Sequence, residues 1–335
     1  MIHVYEGQTA DEVWQQGMEQ LMSAPRTHAH AGRGGSTVEL LHAVFSISDP
    51  RQRWIVSRHP PLNPAFAIAE VIWILNGRND AKFLNYWNRQ LPKFAGCGDI
   101  YHGAYGFRLR RHFGVDQLER AFLALQNNSS TRQIVLQIWD STVDLPNTDG
   151  EPANPDIPCN ILSMLKVRNG KLEWMQVMRS NDIFRGLPHN VIQFTSLHEI
   201  VAGWLGIEVG SYHHLSDSLH LYQNDLPSIS VDLSVHAEQN PDSLMLPKRE
   251  SEKVLDSMAQ SIDQMIRPVL TQQELEGLAR HSHLPAAYHN LLLVLCAEAA
   301  RRRAWAEMAQ DIIARCTNPA LVQAWRRWYA TRSRV

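Results

Sequence analysis

Residues 161–182, ILSMLKVRNGKLEWMQVMRSND, read as two strands folded about Asn169-Gly170. Asn-Gly is the dipeptide that a type I′ hairpin turn prefers, because both central residues must take positive φ. Downstream, HNVIQFTSLHEIVAGWLG (189–206) predicts a long helix stopped by Gly206, and SYHHLSDSLHLY (211–222) predicts another strand. Upstream lie a Pro-, Asn- and Asp-rich loop over 143–157 and a strand, RQIVLQIWD (132–140). Before these come an amphipathic helix over 114–126 and a nearly all-apolar helix, NPAFAIAEVIWILNG (63–77), opened by Asn63-Pro64 and closed by Gly77. The chain starts with a helix over 10–23, a Gly-rich break at Arg33-Gly34-Gly35 and a strand, STVELLHAVFSIS (36–48). A hairpin among helices and further strands makes the class α+β, built on a mixed sheet. From about residue 250 only helical periodicity remains, over 251–266, 285–316 and 319–333, with Pro at the breaks. The expected division is an α+β region over 1–250 and a helical region over 251–335.

A formal net charge of −2 draws the chain toward neither nucleic acid nor an anionic membrane, so any anion site must be local. The four cysteines, Cys97, Cys159, Cys296 and Cys316, form no CxxC pair, no disulfide framework and no zinc spacing. The N-terminal MIHVYEGQTADEVW lacks the basic-then-apolar pattern of a secretion signal, and no apolar run approaches a membrane span. A reducing, cytoplasmic setting is the expectation, and there a lone cysteine stays a thiol.

Pro158-Cys159-Asn160 stands where the polar loop enters the first hairpin strand. A thiol attacks as thiolate, and with a free pKa of about 8.5 it needs positive charge beside it. Arg179 and Ser180 end the second strand and come near Cys159 if the hairpin folds back. Alone, a cysteine is equally at home as a small buried residue. The string MRSNDIFRGLPHN (178–190) adds weight to the chemical reading. Arg179 and Ser180 suit a phosphate, and Gly186 permits close backbone approach. Asn190 carries an amide donor and an acceptor, as the edge of a pyrimidine requires, and it equally suits the N-cap of the next helix.

These strings, in this order, resemble the core of the thymidylate synthase family: PCN, the hairpin, MRSNDIFRGLPHN and DSLHLY (217–222). Upstream, AEVIWILNGRND (69–80), AYGFRLR (104–110) and STRQIV (130–135) are similar to that family's helix with a catalytic glutamate, its Tyr-Gly motif and its paired arginines. The resemblance covers roughly residues 30 to 225. It implies that Cys159 attacks C6 of a pyrimidine nucleoside monophosphate, making C5 nucleophilic. Glu70 would order water around the base, and Tyr105 would help remove the C5 proton. Arg33, Arg179 and Ser180 would hold the 5′-phosphate, with Arg132 reaching across a homodimer to the partner's phosphate. Asn190 would face the base, and His220 and Tyr222 the ribose. Asp182, with Gly186, would meet the pterin of 5,10-methylenetetrahydrofolate. Structural readings stand beside three of these: Glu70 as a helix-buried acid, Tyr105 as core and Arg33 as a solvated loop residue.

The departures from that family narrow the expected reaction. Asn160 follows the cysteine where the family has His, Gln133 replaces the second paired arginine, and Met178 precedes Arg179 in place of Gln. His189 precedes Asn190, Arg185 adds a cation on the cofactor side, and Ser218 stands in place of Asp. The family's Trp-x-x-Trp is absent, with Trp87 at another offset, and predicted helices replace its closing C-terminal segment. Those parts keep water from the exocyclic carbon, so their loss points to hydroxymethylation rather than reductive methylation. In that family Asn at the place of Asn190 goes with uracil, so the resemblance favours dUMP, with UMP, dCMP and CMP still open because ribose and deoxyribose are not distinguished. Cytosine remains open, because a flipped Asn190 amide fits it equally. Two other classes are consistent with parts of the chain. One is an inactive synthase fold that binds nucleic acid through RRRAWAEM and AWRRWYATRSRV, against which stands an ordinary solvated basic helix face. The other is a cysteine hydrolase pairing Cys159 with a histidine such as His220.

Overall fold

A computed structural model of the chain describes residues 2–23, 29–32, 35–280 and 283–332. Arg33 therefore lies outside the described residues.

The expected hairpin organises the sheet. Its strands, together with the others, are β1 (His3–Gly7), β2 (Ala29–Gly32), β3 (Gly35–Ile47), β4 (Val135–Gln137), β5 (Asn160–Arg168), β6 (Lys171–Asp182) and β7 (Glu208–Tyr222). Asn169 and Gly170 take φ of 52° and 74°, the left-handed pair that the turn demands. The sheet runs β1-β3-β7-β6-β5-β4, with β2 paired to β3. It is mixed: β1 runs parallel to β3 and β6 parallel to β7, while the other pairs are antiparallel. A bulge between Asn160 and Leu162 bends β5 beside the cysteine.

Two apolar helices sit behind the site. They follow α1 (Ala10–Ser23) as α2 (Pro64–Leu75) and, after α3 (Gln117–Asn127), α4 (Leu187–Leu205). In α2 every residue but Glu70 is buried, and in α4 every residue from Asn190 to Trp204. A helix apolar all round needs cover on all sides. α4 packs on β6, β7 and α2, and the far side of α2 is covered by the C-terminal region. That region holds α5 (Lys248–Met265), α6 (Gln272–Ala279), α7 (Ala286–Arg302), α8 (Ala306–Ile313) and α9 (Pro319–Ala330). One apolar core runs from Trp14 to Trp325.

Two expected elements differ in extent, and β1, β2 and α6 were not expected. The strand over 132–140 shrinks to β4, because the N–H groups of Ile138 and Trp139 both turn to Ile161 O (2.9 and 3.0 Å) and Asp140 then caps a short helical turn. The single helix over 285–316 is two, α7 and α8. Ala304 takes φ 60° between them, and Arg303 is drawn to the carbonyls of Met265 and Arg267 (2.7 and 3.0 Å). Among the described residues no helix is long and apolar enough to cross a membrane.

Candidate active site

Cys159 lies half-buried at the entrance to β5. The hairpin does fold back on it. Arg179 of β6 donates its backbone N–H to Cys159 O (2.9 Å), and its side chain donates to Pro158 O (3.0 Å) and Ile157 O (3.3 Å). These bonds hold a guanidinium nitrogen 4.0 Å from Cys159 Sγ. A cation fixed there favours the thiolate. Cys296 and Cys316 are buried, and burial pushes both thiols up, Cys316 to about 11.

Tyr105 begins a short turn that crosses the end of α2. The crossing depends on Gly106, where a Cβ would stand 2.2 Å from Ile74 O. Burial pushes the Tyr105 hydroxyl well above its usual range, and the nearby Cys159 charge adds to this. The phenol therefore stays protonated beside the sulfur. Asn160 Oδ1 accepts from Gln176 Nε2 (2.8 Å), and the Asn160 amide lies against the Tyr105 hydroxyl.

Glu70 is the only polar interruption of α2. Its Oε2 lies 3.2 Å from His189 Nδ1, and the His189 ring packs edge-on against Phe66. The two residues thus meet between α2 and α4, a pairing that no local pattern in the sequence announces.

At the end of β6, Asp182 Oδ1 accepts from the N–H groups of Phe184 and Arg185 (both 2.7 Å), which turns the chain toward α4. Asp182 Oδ2 is buried without a hydrogen-bond partner among the described residues. Burial pushes this carboxyl up, opposed by those backbone bonds and by His220, its neighbour in register on β7. His220 and Tyr222 meet edge to face, and Ser180 lies opposite Ser218. Arg185 is gripped by Asp225 through two bonds (2.7 and 2.6 Å) and stacks over Tyr222, so it is not a loose cation on the cofactor side.

Asn190 is not an N-cap. α4 starts three residues earlier, and the Asn190 N–H already bonds Gly186 O (3.0 Å) within the first turn. Its buried side chain donates to Asn181 Oδ1 (3.2 Å). Cys159 stands just before β5, Arg179 and Asp182 lie on β6, Gly186 in the β6–α4 turn, Asn190 in the first turn of α4, His220 and Tyr222 on β7, and Tyr105 in the turn behind them. Arg132 lies apart, exposed on the turn before β4.

Beside His189 opens a cavity of about 500 Å³, also lined by Phe66, Trp87 and Trp328. Five arginines line it, Arg58, Arg89, Arg301, Arg302 and Arg332, and among the described residues no carboxylate does. Arg301 and Arg302 are anchored on the buried Glu298 (2.7 and 2.8 Å), and Arg302 also donates to Trp87 O. The C-terminal basic side chains are thus not a uniformly solvated face. The Arg-Arg run and the lone Trp87 were visible in the sequence, but their meeting depends on α7 docking near α2. Among the described residues no group of three His, Cys, Asp or Glu could hold a metal ion.

The model of the thymidylate synthase family matches residues 13–266. The chain is 36% identical over 206 residues to the deoxyuridylate hydroxymethyltransferase of Bacillus phage SP01, covering 58% of this chain and 53% of that protein. It is 34% identical over 183 residues to the enzyme of the same name from Pseudomonas phage M6, covering 54% of this chain and 51% of that protein. The chain thus spans about half the length of these two relatives. The crystal structure of thymidylate synthase from T4 phage shares the fold, with a TM-score of 0.51 at 22% identity over 64% of this chain and 77% of that one. With a match over three quarters of its length, carried on a mixed sheet that brings Cys159 to Arg179, the chain belongs to the thymidylate synthase family.

Proposed function

We propose that this chain adds a hydroxymethyl group to C5 of a pyrimidine nucleoside 5′-monophosphate, with dUMP the favoured substrate. The observation that carries the reading is the Cys159 sulfur held 4.0 Å from a backbone-anchored arginine. The names of the two phage relatives support the base and the product.

The Cys159 thiolate attacks C6 of the ring, and the displaced electron pair is delocalised over C5 and O4. Asn190 meets the polar edge of the base. Arg179 and Ser180, with Arg33, take the 5′-phosphate, and His220 and Tyr222 take the ribose. Once C5 has formed its new bond, its proton leaves toward water held by Glu70 and the protonated Tyr105. The electron pair left at C5 breaks the bond between the transferred carbon and its donor, which takes up a proton. Hydroxide from water adds to that carbon, and the returning pair expels Cys159 from C6 as thiolate.

The residues fit a folate. Asp182 Oδ2, buried and without a hydrogen-bond partner among the described residues, can accept a pterin N–H, and Gly186 leaves room beside it. The arginine-lined cavity suits the carboxylates of such a molecule, and Trp87 and Phe66 suit its aromatic part. 5,10-Methylenetetrahydrofolate would supply the one-carbon unit at the level of formaldehyde. A cavity walled by guanidinium groups holds water, which favours hydroxymethyl over methyl as product. The exposed Val4, Leu41 and Val135 on three strands support association of two copies through the sheet, with Arg132 serving the partner's phosphate.

The test is tritium release from C5-labelled dUMP, dCMP, UMP and CMP with methylenetetrahydrofolate, beside Cys159→Ala, followed by product mass. Release from dUMP that depends on Cys159, with a hydroxymethyl product, is expected. A methyl product alone refutes the hydroxymethylase reading, and no release from any nucleotide refutes the transfer itself.

A further inference from the structure

An asparagine amide at the base edge can face either way. With N–H toward the C4 substituent and oxygen toward N3 it fits uracil, and reversed it fits cytosine. Selectivity therefore needs something that holds the amide in one orientation. Around Asn190 that something is visible. Asn190 Nδ2 donates to Asn181 Oδ1 (3.2 Å). The Asn181 Nδ2 in turn faces His214 Nε2 (3.0 Å) and Ser216 Oγ (3.1 Å), and His214 Nδ1 faces the Tyr212 hydroxyl (2.8 Å). All five residues are buried, His214, Ser216 and Tyr212 completely.

We infer that Asn181, held by His214 and Ser216, is a positioning residue that locks the Asn190 amide in the orientation uracil takes and so excludes cytosine. The inference rests on the reading of Asn190 as the residue that meets the base.

The proton inventory gives the lock its direction. His214 is neutral, since burial holds it at about 3. Asn181 Nδ2, which also meets Ser216 Oγ, faces His214 Nε2; this makes Nε2 the acceptor and puts the ring proton on Nδ1, toward Tyr212, with Met178 Sδ 3.1 Å from the same Nε2. Both Asn181 N–H groups are then used, one on His214 and one on Ser216, and only its oxygen can face Asn190. Asn190 must answer with an N–H, which leaves its oxygen and its second N–H for a ligand, in a fixed order. Reversing Asn190 would set two amide oxygens against each other in a buried site. Gly186 belongs to the lock as well, since a Cβ there would come within 3.1 Å of Asn181 Oδ1 and 3.6 Å of Asn190 Nδ2.

The experiment is the ratio of kcat/KM for tritium release from dUMP and dCMP, together with calorimetric Kd values for both nucleotides without cofactor. It uses the full chain as wild type, Asn181→Ala, His214→Leu and the mild Ser216→Ala, each checked for folding by its melting curve. A fold defect lowers both nucleotides alike, whereas loss of the lock moves the ratio. The expected result is a fall in the dUMP/dCMP ratio of about tenfold or more in Asn181→Ala and His214→Leu, and of about threefold in Ser216→Ala. Should the larger changes prevent folding, the Ser216→Ala ratio decides alone. Wild type that prefers dUMP beside folded variants whose ratios stay within about twofold of it overturns the lock while leaving the proposed function standing. Wild type that binds neither nucleotide, or prefers dCMP, overturns both.

Discussion

A sulfur 4.0 Å from a guanidinium is only as informative as the reason the guanidinium stays there. Arg179 stays because the carbonyls of Ile157 and Pro158 hold it, so the charge is in place before any phosphate arrives. Replacing it with Gln keeps a donor and removes the charge. Less of Cys159 is then thiolate at neutral pH, and its alkylation by iodoacetamide slows by about three- to tenfold. Peptide mass spectrometry reads the rate at Cys159 against exposed Cys97 in the same sample, and an unchanged ratio refutes the electrostatic role. Cys159 and Arg179 were legible as partners in the sequence because one hairpin carries both, and the turn dipeptide sets its register. Asn181, His214 and Ser216 were not. Their side chains meet across 33 to 35 positions, and only after β6 and β7 have paired in parallel through α4. Glu70 and His189 meet for a similar reason, through the docking of α2 on α4, which no local pattern announces.

Elements whose limits are set by their own residues came out as read. α1, α2 and the two hairpin strands carry their caps, turns and periodicity within themselves. α6 was not read, although it opens on Thr271 and Glu274 in a capping box that Thr-Gln-Gln-Glu spells out locally. β4 was overextended because its length is decided by Ile161, a partner on another strand, and α7 ran into α8 because nothing in Arg303-Ala304 forbids a helix. The position of Tyr105 is also set between elements, by the turn that crosses α2. Gly106→Ala would drive a Cβ to 2.2 Å from Ile74 O, a backbone atom inside a buried helix that cannot swing aside. The turn or α2 must move, at a cost of about 3 kcal/mol or more. Urea denaturation monitored by tryptophan fluorescence checks this. A midpoint equal to wild type would mean that the turn does not depend on the close approach.

Across the molecule, the same burial that makes α2 and α4 apolar all round also traps ionisable groups. The C-terminal helices close the core over α2, and the sheet closes it over α4, so His198 of α4 and His214 of β7 are sealed in. Burial holds His198 at about 4 and His214 at about 3, against about 6.5 in an unfolded chain. The unfolded chain takes up a proton on each as the pH falls through 6.5, and the folded chain does not. Their contribution to stability is therefore complete above pH 6.5 and is lost as the pH falls toward 4 and then 3. Each can lower stability by at most about 1.4 kcal/mol per pH unit in that window. Asp11 and Asp182 work in the opposite direction, because burial pushes their carboxyls up and the folded chain is protonated first. The slope of unfolding free energy between pH 6 and pH 5 is thus a difference, and comparison with His198→Gln isolates one histidine. That variant keeps an N–H for Leu172 O, the partner of His198 Nε2, and cannot titrate. It should lose less stability than wild type over that interval, by up to about 1.4 kcal/mol, in urea titrations at the two pH values. Equal losses would mean that His198 takes up its proton within the fold, and that the core over α4 admits charge.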